Sequence, residues 1–384
     1  MRLPTLCFCP LLALSSLRGS EDPETNVLTT EDVSTRSDSD EVTTSTVASE
    51  GDIETGDSGS SVTNTFEMHD GVSISYRVWE PVEAAPKAVV YIVHGMAEHS
   101  GRYYAFAQKL VDALGVRVIA ADQRGHGLTS TNGGANQESL GVFRKGETAR
   151  HPNAIALMGS DVNELIYGTY QDLPAIMFGH SMGSVVARKA LRMADARMGN
   201  IVKGLILSGV PTAPHWLELY PLHAVANLVK TTGVGHDLVQ RTFTHFKFDA
   251  PVRHRAKNPQ LPVNCFVTSD LEECKIFNED PYTNHLVDAE ILFSIVTTLA
   301  DLEKATFFGP PSVDVLFVTG REDPVASFGS TAKADAERMI KAGHQVTEIY
   351  LSRSRHEFLR EQEPIRKEGT NLVISWIKTK LEEV

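Results

Sequence analysis

Short apolar runs alternate with stretches of helical spacing over most of the chain. Val72-Ser73-Ile74-Ser75-Tyr76-Arg77-Val78-Trp79 switches between apolar and polar positions as a half-buried strand does, and Asp70-Gly71 supplies a turn before it. Ala88 to Val93 is instead continuously apolar and rich in β-branched residues, the pattern of a central strand covered on both faces. Helical spacing from Tyr103 to Leu114 leads to a strand at Val116 to Ala121. A long polar loop over residues 129–152 leads to a helix through Val162 to Tyr170. Ala175 to Phe178 reads as a buried strand that opens through Gly179-His180-Ser181-Met182-Gly183 onto a helix from Val185. Val202 to Val210 is one more buried strand. There the alternation stops. It resumes with a strand at Val313 to Gly320, a helix at Thr331 to Lys341, a strand at Val346 to Leu351 and a closing helix at Leu372 to Leu381. Strands separated by helices predict an α/β fold, a mostly parallel central sheet with helices on both faces. No repeat at a solenoid period is visible.

The interruption, residues 211–306, reads as an insertion with helical patches. Its apolar segment from Trp216 to Val229 is either core packing or a face offered to a lipid-like substrate or a membrane surface. At the other end, residues 21–65 are Ser, Thr, Asp and Glu with scattered Val, too little apolar surface to offset the entropy of ordering. We expect a disordered acidic linker there, with order beginning near Phe66. Residues 1–20 carry Arg2, an apolar run from Leu3 to Leu14 and then Ser15-Ser16, which resembles a secretory signal peptide although Pro4 and Pro10 interrupt it. That run is too short for a membrane span. The secretory pathway or the cell exterior is therefore one expectation for localisation, and a cytoplasmic or membrane-associated protein the other. The absence of an N-x-S/T sequon leans against the first.

With 384 residues, 42% of them hydrophobic, the remainder (66–384) can bury a sizeable core as one large domain. The net charge of −13 changes this picture only until it is located, because twelve acidic residues and one Arg lie between positions 21 and 60. The rest is nearly neutral and has no basic stripe, so nucleic acid is not an expected partner. Of four cysteines, Cys7 and Cys9 belong to the leader; the spacing of Cys265 and Cys274 permits a disulfide without requiring one.

In a parallel sheet the strands end on one edge, and ligands bind beyond those ends. The segments leaving that edge carry the reactive side chains. A strand, a sharp G-x-S-x-G turn and a helix put the Ser181 hydroxyl at the tip of the turn, with the helix N-terminus beside it. A serine needs a base, and an imidazole in turn needs an acceptor to hold its tautomer. Asp323 follows the strand ending at Gly320, and His356 follows the last strand. The chain order is thus Ser, Asp, His. Glu322, Asp288 and Asp301 compete for the acidic position. Pro324 favours Asp323 by holding it in an extended turn. His344 precedes its strand and falls at the opposite edge, while His94, His99, His126 and His180 read as structural. The backbone N-H groups of Met182 and Met96 are the expected oxyanion donors. No His, Cys and carboxylate set has metal-ligand spacing, so neither metal nor cofactor is expected.

These residues give the chain its likeness to known proteins. The blocks His94 to Tyr103 (H-G-M-A-E-H-S-G-R-Y), Asp122 to Gly127 (D-Q-R-G-H-G), Gly179 to Gly183, Gly320 to Pro324 and His356-Glu357 resemble the monoacylglycerol lipase and lysophospholipase group of α/β hydrolases, related to the serine aminopeptidase S33 family. The resemblance implies an α/β-hydrolase fold and a triad of Ser181, Asp323 and His356. It also implies an oxyanion hole from Met96 and Met182, and a cap over the acyl pocket in place of the insertion. The implied substrate is a lipid ester; peripheral membrane contact through the cap is an expectation that rests on the apolar segment of the insertion instead. Ser184 departs from the second glycine common after the elbow, the loop after Gly127 is longer than expected, and the cap matches only around Asp280-Pro281. Two other functions remain open: a prolyl-type aminopeptidase, because D-Q-R-G is shared with that branch, and a ligand-binding receptor on the same fold.

Overall fold

The sheet begins earlier than its composition suggests. In the computed structural model, which describes residues 53–56, 59–131, 140–143, 151, 153–211, 240–241 and 244–383, strands β1 (Ile53–Gly56) and β2 (Gly59–Glu67) precede β3 (Ser73–Trp79). Both lie largely within the stretch 21–65 expected to be a disordered linker, so that boundary is corrected. The physical reason is pairing. Val62 lies opposite Val78 and Phe66 opposite Ile74 in an antiparallel ladder, so main-chain hydrogen bonds and cross-strand contacts order a segment poor in apolar residues of its own. The leader 1–20 and the apolar segment 216–229 lie outside the described residues.

The remaining strands are β4 (Val89–Val93), β5 (Arg117–Ala121), β6 (Ala175–His180), β7 (Val202–Ser208), β8 (Asp314–Gly320) and β9 (Val346–Leu351). They join in the order β1-β2-β3-β5-β4-β6-β7-β8-β9, antiparallel as far as the β3-β5 pair and parallel from β5 onward. The continuous apolar runs acquire their reason here, since alternate residues of a strand serve opposite faces. Val89, Tyr91 and Val93 of β4, Met177 of β6 and Phe317 of β8 pack into one core cluster, whereas Val90, Ile92, Phe178 and Leu316 pack into another.

The first face is covered by α3 (Ala154–Thr169), α4 (Met182–Met193), α8 (Ala289–Glu303) and α9 (Ser330–Lys341); the second by α1 (Tyr104–Leu114) and α10 (Glu363–Glu382). Shorter helices are α2 (Gly127–Thr131), α5 (Met198–Ile201), α6 (Ala250–Arg255) and α7 (Leu271–Glu279). Helix α3 starts eight residues before the expected Val162, because Asn153 caps it by accepting a hydrogen bond from the Ala156 amide. Helix α8 ends the insertion, yet its Ile291, Leu299 and Leu302 belong to the same core as α3 and α4. Among the described residues no helix is long and apolar enough to cross a membrane.

The D-Q-R-G-H-G loop after β5 holds these layers together. Fully buried Arg124 bonds both oxygens of Asp70, before β3, and both oxygens of Asp161, on α3. Asp122 accepts from the amides of Ser100 and Leu128. Gln123 grips the turn after β4, its amide donating to His94 Nε2 and its side chain to the His94 carbonyl.

Candidate active site

Ser181 sits between the last residue of β6 and the first of α4 with φ 51° and ψ −120°, a left-handed backbone that a non-glycine residue adopts only when its surroundings enforce it. Two glycines make the turn possible. A Cβ on Gly183 would fall 2.0 Å from the Val93 carbonyl oxygen, and one on Gly179 would fall 2.6 Å from the Gly183 carbonyl oxygen. The strand and the first helical turn are therefore in backbone contact, and the N-terminus of α4 is pressed against the end of β4. Ser184, the departure from the family pattern, turns its hydroxyl back to the Ser181 carbonyl at 2.6 Å.

That close approach brings the turn after β4 to the serine. A Cβ on Gly95 would fall 3.2 Å from Ser181 Cβ. Among the described residues the amides of Met96 and Met182 find no protein acceptor, so two N-H groups at this corner remain available to an oxygen that is not part of the fold.

Asp323 and His356 leave β8 and β9 on the same edge and meet directly. His356 Nδ1 lies 2.9 Å from Asp323 Oδ2, so a carboxylate acceptor keeps the ring proton on Nδ1 and leaves Nε2 as the basic nitrogen. The other carboxylate oxygen, Oδ1, accepts from the Val325 amide, and the Asp323 carbonyl accepts from the Phe328 amide. Asp323 is completely buried and His356 is 5% exposed. Ser181 joins them through its neighbours. The His180 ring is 4.8 Å from the His356 ring, the Ser181 amide bonds the Ser208 carbonyl, and a Cβ on the next residue, Gly209, would fall 2.9 Å from His356 Cε1.

Electrostatics separate the two adjacent imidazoles. Burial alone would depress His356, but the Asp323 carboxylate, with Glu357 and Glu98 behind it, holds its pKa above the ordinary value. His180 is pushed down to about 4, by burial first and then by His356. At neutral pH His180 is therefore uncharged, and protonation at this corner falls to His356.

The competing residues are engaged elsewhere. Asp288 caps α8, Asp301 is exposed on that helix, and Glu322 donates its amide to the Ser354 carbonyl while its carboxylate acts on the charge of Arg355 rather than on His356. His344 bonds the Val313 carbonyl at the opposite edge of the sheet. His94 and His126 satisfy loop backbone, and His99 pairs with Asp280 of the insertion at 2.9 Å.

Sequence reasoning gave no role to a buried ion network beneath the site. Arg102 bonds Glu98 at 2.7 Å and grips Glu357 through two nitrogens at 3.0 and 2.6 Å. Glu98 also accepts from the Gly95 amide and from the Tyr103 hydroxyl. Although burial opposes it, Arg102 with His180 and His94 pulls Glu98 down to about 2. The network ties the turn bearing Met96 to the residue after His356. Its signals in the sequence were only that Glu98, Arg102 and Glu357 all fall within matching blocks; the contact of Arg102 with Glu357, 255 positions away, exists only in the fold. Among the described residues no group of three His, Cys, Asp or Glu side chains is placed to hold a metal ion.

Residues 84–363 match the family model of serine aminopeptidase S33. The chain belongs to that family. It is 34% identical over 152 residues to a monoacylglycerol lipase of Mycolicibacterium smegmatis, covering 40% of this chain and 48% of that protein. It is also 34% identical over 139 residues to monoglyceride lipase of Homo sapiens, covering 36% of this chain and 40% of that one. The chain thus spans less than half the length of these relatives. The likeness to solved structures is longer. A highly thermostable carboxyl esterase from Bacillus coagulans superposes with a TM-score of 0.68 at 25% identity, over 84% of this chain and 99% of that one. The fold of this S33 family member is that of an α/β hydrolase.

Proposed function

We propose that the protein is a serine hydrolase that cleaves carboxylic esters of lipids, of the monoacylglycerol or lysophospholipid type, through an acyl-enzyme. The observation that carries this reading is the hydrogen bond between Asp323 and His356 on the sheet edge where the strained Ser181 turn emerges. His356 Nε2 takes the Ser181 proton as the hydroxyl attacks the ester carbonyl. The amides of Met96 and Met182 receive the oxyanion, and the imidazolium returns its proton to the leaving alcohol. Water, activated by the same imidazole, then releases the fatty acid.

An ester fits better than a peptide amine. An aminopeptidase holds its substrate's ammonium with free acidic groups, whereas among the described residues Glu98 and Glu357, two carboxylates beside the site, are already paired with Arg102. The names of the relatives point the same way. On the insertion, Val263, Leu271 and Ile276 are exposed apolar side chains suited to peripheral contact with a lipid surface. The disulfide between Cys265 and Cys274 supports an oxidising compartment over the cytoplasm.

The test is a panel of monoacylglycerols, lysophospholipids, a short aryl ester and a proline arylamide offered to the purified protein. Glycerol or lysophospholipid esters should be cleaved, and the arylamide left intact. Arylamide turnover exceeding every ester would replace this reading with the aminopeptidase; binding without turnover of any of them would favour the receptor.

A further inference from the structure

The loop that carries His356 is fastened to the insertion as well as to its own strand. Residues 265–268 form an irregular turn whose successive carbonyls face it. Cys265 and Thr268 both accept from Arg355 Nη1, at 2.6 and 2.8 Å, while Phe266 accepts from the His356 amide and Val267 from the Glu357 amide, at 3.4 and 2.7 Å. The Phe266 ring lies 6.1 Å from the His356 ring, and the Thr268 hydroxyl reaches back to the Arg360 carbonyl. Arg355 is 7% exposed and its amide is held by Glu361, so it is committed to this junction.

The turn has no helix or strand ladder of its own to keep it in place. It is braced from behind instead. Cys265 is bonded to Cys274 on α7, with the two Cα atoms 5.3 Å apart and both cysteines buried. Asn264, at φ 62°, donates from its amide to Asp249 and from its side chain to Asn278 and Asn284. The disulfide is the covalent member of that set.

We propose that the turn 265–268 is the platform that positions the imidazole of His356, with Arg355 as the positioning residue that grips it and the Cys265–Cys274 disulfide as its brace. This rests on the reading of His356 as general base. A base displaced by about 1 Å loses on the order of a hundredfold in rate, so a loosened platform lowers turnover more than substrate binding. Opening the brace consumes two electrons and two protons from a dithiol, which closes to its own disulfide as two cysteine thiols form.

The experiment compares the oxidised full-length enzyme with the same protein after dithiothreitol, with a Cys265→Ala/Cys274→Ala double variant, and with Arg355→Met and Arg355→Lys. Three readouts are followed: kcat and KM on an aryl ester, the acid limb of the pH profile, and hydrogen–deuterium exchange over residues 355–361. Reduction and the double variant should each lower kcat by roughly tenfold to a hundredfold with KM little changed. They should also move the acid limb downward as His356 loosens from Asp323 among the groups that face it (Glu357, Glu98 and His180), and they should speed exchange at residues 355–361. Dithiothreitol should do nothing further to the double variant. Arg355→Met should show the same signature and Arg355→Lys, which keeps a cationic donor for the two carbonyls, part of the wild-type rate. Unchanged kcat, pH limb and exchange in the reduced and double-variant proteins would overturn the proposal, as would free thiols at Cys265 and Cys274 in protein that was never reduced. If no form cleaves an ester, the catalytic reading has failed, and the exchange measurement still decides whether the platform holds the loop.

Discussion

The charge state of one imidazole sets the working pH of the proposed chemistry. His356 acts as a base only when neutral, and Asp323, Glu357 and Glu98 hold its pKa above the ordinary value against the opposing effect of burial. The acid limb of kcat/KM should therefore lie above about 6.5, with activity lost as the pH falls through it. Asp323→Asn removes the strongest of the three supports, so the limb should move down while kcat falls by roughly 10³- to 10⁴-fold. A limb at or below about 6.5 in the unmodified protein would show that the carboxylate does not support the ring. Met96 is a complementary case, since its proposed contribution is a backbone N-H that every non-proline residue retains. Met96→Ala should alter KM and substrate preference and leave kcat within about tenfold. A kcat loss as large as that of Ser181→Ala would mean that the side chain itself takes part in the chemistry.

Among the elements, the junction of β6 and α4 has the least tolerance. Gly183 stands where a Cβ would penetrate the Val93 and His94 carbonyl oxygens, at 2.0 and 2.5 Å. Gly183→Ala must therefore force α4 away from β4, at a cost of about 3 kcal/mol of stability or more. Urea titration would reveal it; a variant that unfolds with the parent would show that the junction is loose. The same junction explains what the chain made legible. A strand covered on both faces carries apolar side chains at consecutive positions, so β4, β6, β7 and β8 were readable from the runs Val89 to Val93, Ala175 to Phe178, Leu205 to Leu207 and Val315 to Val318. β2 was not, because half of what orders it is the edge of β3, which a composition average over residues 21–65 cannot register. The start of α3 was hidden for a local reason: Asn153 caps the helix, and its first turns, Ala154 to Gly159, are buried on every side, so they show no alternation of apolar and polar faces.

For the whole molecule, the triad candidates were legible because a parallel sheet converts order along the chain into position along one edge. Ser181, Asp323 and His356 each follow a strand, and the sheet delivers all three ends to the same side. What steadies them was not legible. The link from Glu98 through Arg102 to Glu357, and the grip of Arg355 on the turn at 265–268, join segments separated by long stretches of chain. No spacing rule could connect them. The central claim of this arrangement is that one hydroxyl among the chain's many serines is activated. Treatment with a fluorophosphonate ester and mapping of the adduct by peptide mass spectrometry tests it most directly. A single adduct on Ser181, formed in step with the loss of ester hydrolysis and absent from Ser181→Ala, is the expected result; an adduct on another residue, or labelling that persists in Ser181→Ala, would contradict it.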